Sequence, residues 1–239
     1  VLLAVCASVP DGVVVFVPSF SYEEALVARW QQTGAWSQLK ARKALFREPR
    51  QANELDAVLK AYSAAIEANY PPAADGAAAA GTAGGATRGA LLLSVVGGKM
   101  SEGINFADGL GRCVVMVGLP FANPSDLTLV ERMSYFDSTQ GAGAGREYYT
   151  NLCMKAVNQS IGRAIRHIAD YATIVLCDGR FAKPSVTKRL PKWIGERVQV
   201  PASCEAAMGN VRSFFAARAP HQRQIEDRRR ANAEDAVTF

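Results

Sequence analysis

Five short apolar runs, spaced by helix-like stretches, constrain what this chain can fold into more than any other feature. They are Val13–Val17, Ala44–Phe46, Leu91–Val96, Cys113–Phe121 and Tyr171–Cys177. Each has the length of a strand. The longer ones are continuously apolar instead of alternating, the signature of strands covered on both faces. Between them lie helical patterns. Ser21 and Glu24 form a capping-box spacing for a helix through about Trp30. Leu55, Val58, Leu59, Tyr62 and Ile66 recur at three- and four-residue steps, which predicts a helix from about Gln51 to Asn69. Asp126–Phe136 and a long stretch from about Glu147 are helical by the same pattern. Strands alternating with helices predict one α/β domain, a mostly parallel sheet with helices on both faces.

Composition agrees with a folded chain: 49% of the 239 residues are hydrophobic and 21% charged. With no run of about 18 apolar residues, no membrane span is expected. The formal charge of +5 suits a nucleic-acid partner without requiring one. Five cysteines, Cys6, Cys113, Cys153, Cys177 and Cys204, are far apart and show no C-x-x-C spacing. That excludes a zinc ribbon built from this chain alone and points to a reducing, intracellular compartment. Val1–Val9 is an apolar run already under way at the first residue, as in a piece of a longer protein, and it ends at the turn signal Pro10-Asp11-Gly12. The domain is expected to span residues 1–217. Residues 73–90, nearly all Ala, Gly and Thr, read as a flexible insertion, Gly141–Gly145 as a flexible spacer, and residues 218–239 as a charged mobile tail.

Two stretches carry chemistry. In Gln159-Ser160-Ile161-Gly162-Arg163-Ala164-Ile165-Arg166, helical spacing puts Gln159, Arg163 and Arg166 on one stripe, with Gly162 beside it and Ile161, Ala164 and Ile165 on the core side. One amide and two guanidinium forks facing one way suit phosphate oxygens. In Gly97-Gly98-Lys99-Met100-Ser101-Glu102-Gly103-Ile104-Asn105-Phe106, glycines permit tight turns that aim amides at an anion. This is not a Walker A loop, because G-x-x-x-x-G-K-[ST] is absent.

The pattern Q-x-x-G-R-x-x-R resembles the last motif of superfamily 2 helicases, and G-K-M-S-E-G-I-N-F their fifth. With V-V-V-F-V-P-S, V-G-L-P-F-A-N-P and L-C-D-G-R-F in the same order, the chain resembles the second RecA-like motor domain of the XPD-like iron–sulfur DEAH helicases, in wording nearest the ChlR/CHL type. That resemblance implies a RecA-like fold and a half-site for ATP with Mg2+. It also implies single-stranded DNA and the enzyme's N-terminal RecA-like domain as partners, with a nuclear location. The iron–sulfur cluster and the Walker A and D-E-A-H motifs are expected outside this chain, so the chain by itself is expected to be inactive. By residue, the resemblance places Arg163, Arg166 and Gln159 in catalysis, and Glu102, Gly103, Asn105 and Gly162 at the nucleotide. Lys99, Ser101, Ser19 and Tyr22 fall near DNA. Asn105, where some relatives carry Asp, is able to hydrogen-bond Arg163 or a backbone group, but not to form a charged pair. The competing reading is a non-catalytic α/β module that binds nucleic acid or a protein.

Overall fold

Five parallel strands form one sheet in the order β2-β3-β1-β4-β5 in the computed structural model, which describes residues 1–68, 89–165, 167 and 170–218. The chain opens with α1 (Leu2–Ser8), then β1 (Gly12–Val17), α2 (Phe20–Gln32), α3 (Ala35–Lys40), β2 (Ala44–Arg47) and α4 (Leu55–Glu67). It continues through β3 (Ala90–Val95), α5 (Lys99–Gly103), β4 (Cys113–Val117), α6 (Leu127–Gln140) and α7 (Ala144–Ile161). β5 (Thr173–Cys177), the short helices α8 (Pro184–Thr187) and α9 (Lys192–Gly195), and a last helix α10 over residues 204–218 complete it. The central strand β1 pairs with β3 and β4, Val15 standing opposite Leu93 on one side and Val115 on the other.

Alternate residues of the buried strands feed two cores, which is why these runs are apolar at nearly every position. Val14, Phe16, Leu92, Val114 and Met116 pack with Tyr62 and Ile66 of α4 and Met154, Val157 and Ile161 of α7. Val13, Val15, Leu91, Leu93 and Val115 pack on the other face with Val5 of α1, Val27 of α2, Leu39 of α3 and Met208 and Phe215 of α10. The expected α/β sheet with helices on both faces is therefore the observed one.

Local differences have local causes. The N-terminal cap of α2 is Ser19, whose hydroxyl accepts from the Tyr22 amide at 3.1 Å, so the helix starts ahead of the Ser21 box. The predicted 51–69 helix opens as a 3₁₀ turn, Ala52–Glu54. The glycines expected to form a loose spacer make a tight helix–helix turn instead: the Asp137 carboxylate accepts from the Gly143 and Gly145 amides, both at 2.9 Å. Most of the expected 73–90 insertion lies outside the described residues. Ala90, at its end, is fully buried in β3, and Gly89 takes a left-handed φ of +79° where a Cβ would lie 2.1 Å from the Asp11 carbonyl oxygen. Residues 219–239 of the expected tail also lie outside the described residues. Arg218 belongs to α10, its guanidinium 5.6 Å from the Tyr171 ring.

Candidate functional site

The segment after β3 is held from below by a carboxylate. Glu48, 5% exposed, accepts from the Ser94 hydroxyl at 2.7 Å, the Val95 amide at 2.8 Å and the Met100 amide at 3.1 Å. Gly98 leaves room for it, since a Cβ there would meet Glu48 Oε1 at 2.4 Å. Met100 and Phe106, both fully buried, fasten the two ends of the segment into the core. Lys99 and Gly103 are left exposed. Ser101 is 2% exposed and donates to the Gly98 carbonyl at 2.8 Å. Its hydroxyl faces inward and holds the turn. The backbone of Glu102 lies within α5.

The helix carrying the second stretch stops earlier than the spacing predicts. α7 ends at Ile161, Gly162 caps it, and Arg163 and Ala164 form a turn in which their amides reach the Ser160 and Ile161 carbonyls at 3.3 and 3.4 Å. The Arg163 carbonyl accepts from the Phe106 amide at 3.2 Å, a partner outside the helix that holds the turn past the cap. The predicted stripe of Gln159, Arg163 and Arg166 on one helix is thereby corrected. Gln159 is exposed on the last turn of α7, Arg163 lies half-buried beyond the cap, and Arg166 lies outside the described residues. Ile161 and Ala164 are fully buried, as the core side of the stretch required.

The two stretches meet. Arg163 Nη1 donates to Asn105 Oδ1 at 3.3 Å, the neutral hydrogen bond that Asn105 permits. With the Phe106 amide on the Arg163 carbonyl, side chain and backbone are both tied to the segment after β3. Gly162, half-buried, adjoins that junction. Ser19 and Tyr22 stand elsewhere, beyond the end of β1, with Lys99 beyond the end of neighbouring β3. Tyr22 is 44% exposed, whereas the Ser19 hydroxyl is engaged as the α2 cap and lies 3.0 Å from the Ser21 hydroxyl.

A charged network next to this junction was not legible as a site. Arg112, 2% exposed, donates from Nη1 to Asp170 Oδ1 at 3.0 Å and to the Tyr171 carbonyl at 3.1 Å, with its guanidinium 4.0 Å from the Tyr171 ring centroid. Asp170 Oδ1 also accepts from the Tyr171 amide at 2.8 Å, and Oδ2 from the Asp108 amide at 3.3 Å. His167 Nε2 lies 3.2 Å from Asp108 Oδ1. Asp108, His167 and Asp170 offer ligand atoms within 4.8 Å of one another, but both Asp170 oxygens already accept from protein donors, the pattern of an ion-pair network instead of a cation site. The only sequence signal for it is a charged residue directly before an apolar run, as with Arg112 before Cys113.

The cysteines do not suit a metal cluster. Cys6 and Cys113 pack on one face of the sheet and Cys153 on the other. Burial pushes their thiols up to about 11, 12 and 11, away from the thiolate a cluster needs. Among the described residues, no helix is long and apolar enough to cross a membrane.

Residues 2–197 match the family model of the helicase C-terminal domain. Over 219 residues, 90% of its length, the chain is 45% identical to the ATP-dependent DNA helicase DDX11 of Danio rerio and 48% identical to that of Mus musculus, covering 23% of each. It is 38% identical over 224 residues to the ATP-dependent DNA helicase CHL1 of Scheffersomyces stipitis, 90% of this chain and 25% of that one. The chain thus spans about a quarter of the length of these curated relatives. The solved structure XPD_APO shares the fold, with a TM-score of 0.53 at 21% identity over 79% of this chain and 32% of that chain. By its family match over residues 2–197, the chain belongs to the helicase C-terminal domain family.

Proposed function

We propose that this chain is the C-terminal motor half of an ATP-dependent DNA helicase that translocates on single-stranded DNA in the nucleus. One observation carries the reading: Arg163 of the second motif is hydrogen-bonded to Asn105 of the first at 3.3 Å, so a change at either is felt by the other. Coupling a nucleotide cycle to a DNA track needs such a junction. Arg163 and Arg166 supply positive charge for the γ-phosphate, and Gln159 an amide for phosphate or the attacking water. Glu102, Gly103, Asn105 and Gly162 line the nucleotide side. Lys99, Tyr22 and Ser19 touch the DNA backbone, with Ser101 supporting Lys99 from beneath.

An exposed amide and a guanidinium suit the oxygens of ATP, not a divalent cation. Mg2+ is accordingly assigned to the N-terminal RecA-like domain, which supplies the phosphate-cradling loop. The iron–sulfur cluster of such an enzyme is likewise assigned to the part outside this chain, a reading supported by Cys6, Cys113 and Cys153 being buried on opposite faces of the sheet. The arginines act on charge that develops during phosphoryl transfer, so their loss is felt in turnover before binding.

In the full-length enzyme, Arg163→Ala and Arg166→Ala are each expected to lower ATP hydrolysis on the order of 10³-fold, with single-stranded DNA affinity retained. Lysine is not expected to rescue either position, lacking the planar fork. Retained hydrolysis with weaker DNA binding, and a salt slope lower by about one, would move the arginine to the DNA track and end this reading.

A further inference from the structure

We propose that Arg112 and Asp170 form a positioning clasp that sets the Arg163 junction for ATP hydrolysis. The inference rests on the functional reading above and extends it to two residues that touch neither nucleotide nor DNA. The stretch from Arg163 to Asp170 is fastened at both ends to the stretch from Asn105 to Arg112. At the first end, Arg163 bonds Asn105 through its side chain and Phe106 through its carbonyl. At the other end, the Asp170 carboxylate gathers the Asp108 amide, the Arg112 guanidinium and the Tyr171 amide.

The clasp is built to be rigid. The Arg112 and Asp170 side chains are 2% and 1% exposed, and the guanidinium lies on the Tyr171 ring. Arg112 directly precedes β4 and Asp170 stands three residues ahead of β5, Thr173 donating to the Arg112 carbonyl at 2.9 Å as the two strands come into register. Asp108 sits between the two fastenings with a φ of +54°, a left-handed state that Asp tolerates better than most non-glycine residues. Its amide lies on Asp170 and its carboxylate beside His167. A pair spent only on stability would have no reason to bind this turn. Here one carboxylate joins the exit from the first motif to the exit from the second.

The test is a double-mutant cycle in the full-length helicase, read as single-turnover ATP hydrolysis and single-stranded DNA affinity. Asp170→Asn keeps the shape of the side chain and removes its charge. It is expected to slow hydrolysis about tenfold, with DNA affinity within about twofold of the parent. In an Arg163→Ala background it is expected to add nothing, because residues acting through one another are non-additive. Arg112→Lys, which keeps the cation and loses the fork, is expected to repeat both results if Asp170→Asn folds poorly. Undiminished hydrolysis in both variants, or equal fold-losses with and without Arg163, would overturn the clasp while leaving the arginine reading intact. If Arg163→Ala alone leaves hydrolysis unchanged, both fail together.

Discussion

Lys43 shows at the scale of one residue how the tertiary fold rewrites a side chain's chemistry. It is fully buried, and its ammonium donates to the Val9 and Asp11 carbonyls at 2.8 and 2.7 Å. Burial pushes its pKa down to about 8 from 10.5, against the opposing pull of Cys6, Asp11 and Cys113. Between those values the unfolded chain binds a proton that the folded chain has lost, so stability rises with pH there. Below pH 8 the cost is fully present. Above pH 9 the buried Cys6 and Cys113 reverse the trend: their folded pKa values near 11 and 12 keep them protonated while the unfolded thiols ionise. Lys43 alone contributes a rise of about 1 kcal/mol between pH 8 and 9, and Cys6, Cys113 and Cys153, whose thiols begin to ionise in the unfolded chain over the same window, offset most of it. Denaturant titrations at the two pH values are expected to show the stability of the parent relative to Lys43→Met rising by about 1 kcal/mol. An unchanged difference would mean that Lys43 does not titrate there.

The α6–α7 hairpin shows at the scale of the element how a glycine-rich stretch becomes a defined turn. Gly143 takes a left-handed φ of +95°, which leaves its amide and that of Gly145 aimed at one Asp137 oxygen. Gly145 is buried, and a Cβ there would lie 2.3 Å from the Met133 carbonyl oxygen, so α6 and α7 approach closely only because that position has no side chain. The hairpin sets where α7 runs, with Gln159 on its last turn and Arg163 just past its cap. Asp137→Ala strands two amides and is expected to cost about 1–2 kcal/mol, comparable to a lost helix cap. Thermal denaturation is then expected to fall by about 2–8 °C. An unchanged midpoint would show that the glycines hold the turn without the aspartate.

At the scale of the whole molecule, the sheet separates the residues proposed for DNA from those of the proposed clasp. Ser19, Tyr22 and Lys99 follow the ends of β1 and β3, whereas Arg112 and Asp170 precede β4 and β5. The stretch from Lys99 to Arg112 runs between them, which makes it the natural carrier of any coupling. The chain spans about a quarter of its curated relatives and contains no G-x-x-x-x-G-K-[ST] loop. Purified alone, it is expected to fold, since both faces of the sheet are covered, and to hydrolyse no ATP above background. Turnover that co-purifies with the chain, and is lost on Arg163→Ala, would show that it holds a complete site.

By itself the sequence determined the sheet. Continuous apolar runs such as Val13–Val17 can be buried on both faces of a sheet, so each strand fell within a few residues of its expected bounds, with the end of Cys113–Phe121 running furthest past. It also marked Asn105 as able to meet Arg163, because two stretches that serve one site must approach each other. The tertiary structure alone decided how the turn past α7 is held, because the Phe106 amide that takes the Arg163 carbonyl comes from a distant part of the chain. It also decided that Ser101 turns inward and that Lys43, Glu48 and Arg112 are buried. A charged or hydroxyl side chain reads as solvent-facing until its partners are known. For these residues the partners are carbonyls, amides and a carboxylate that only the closed sheet brings within reach.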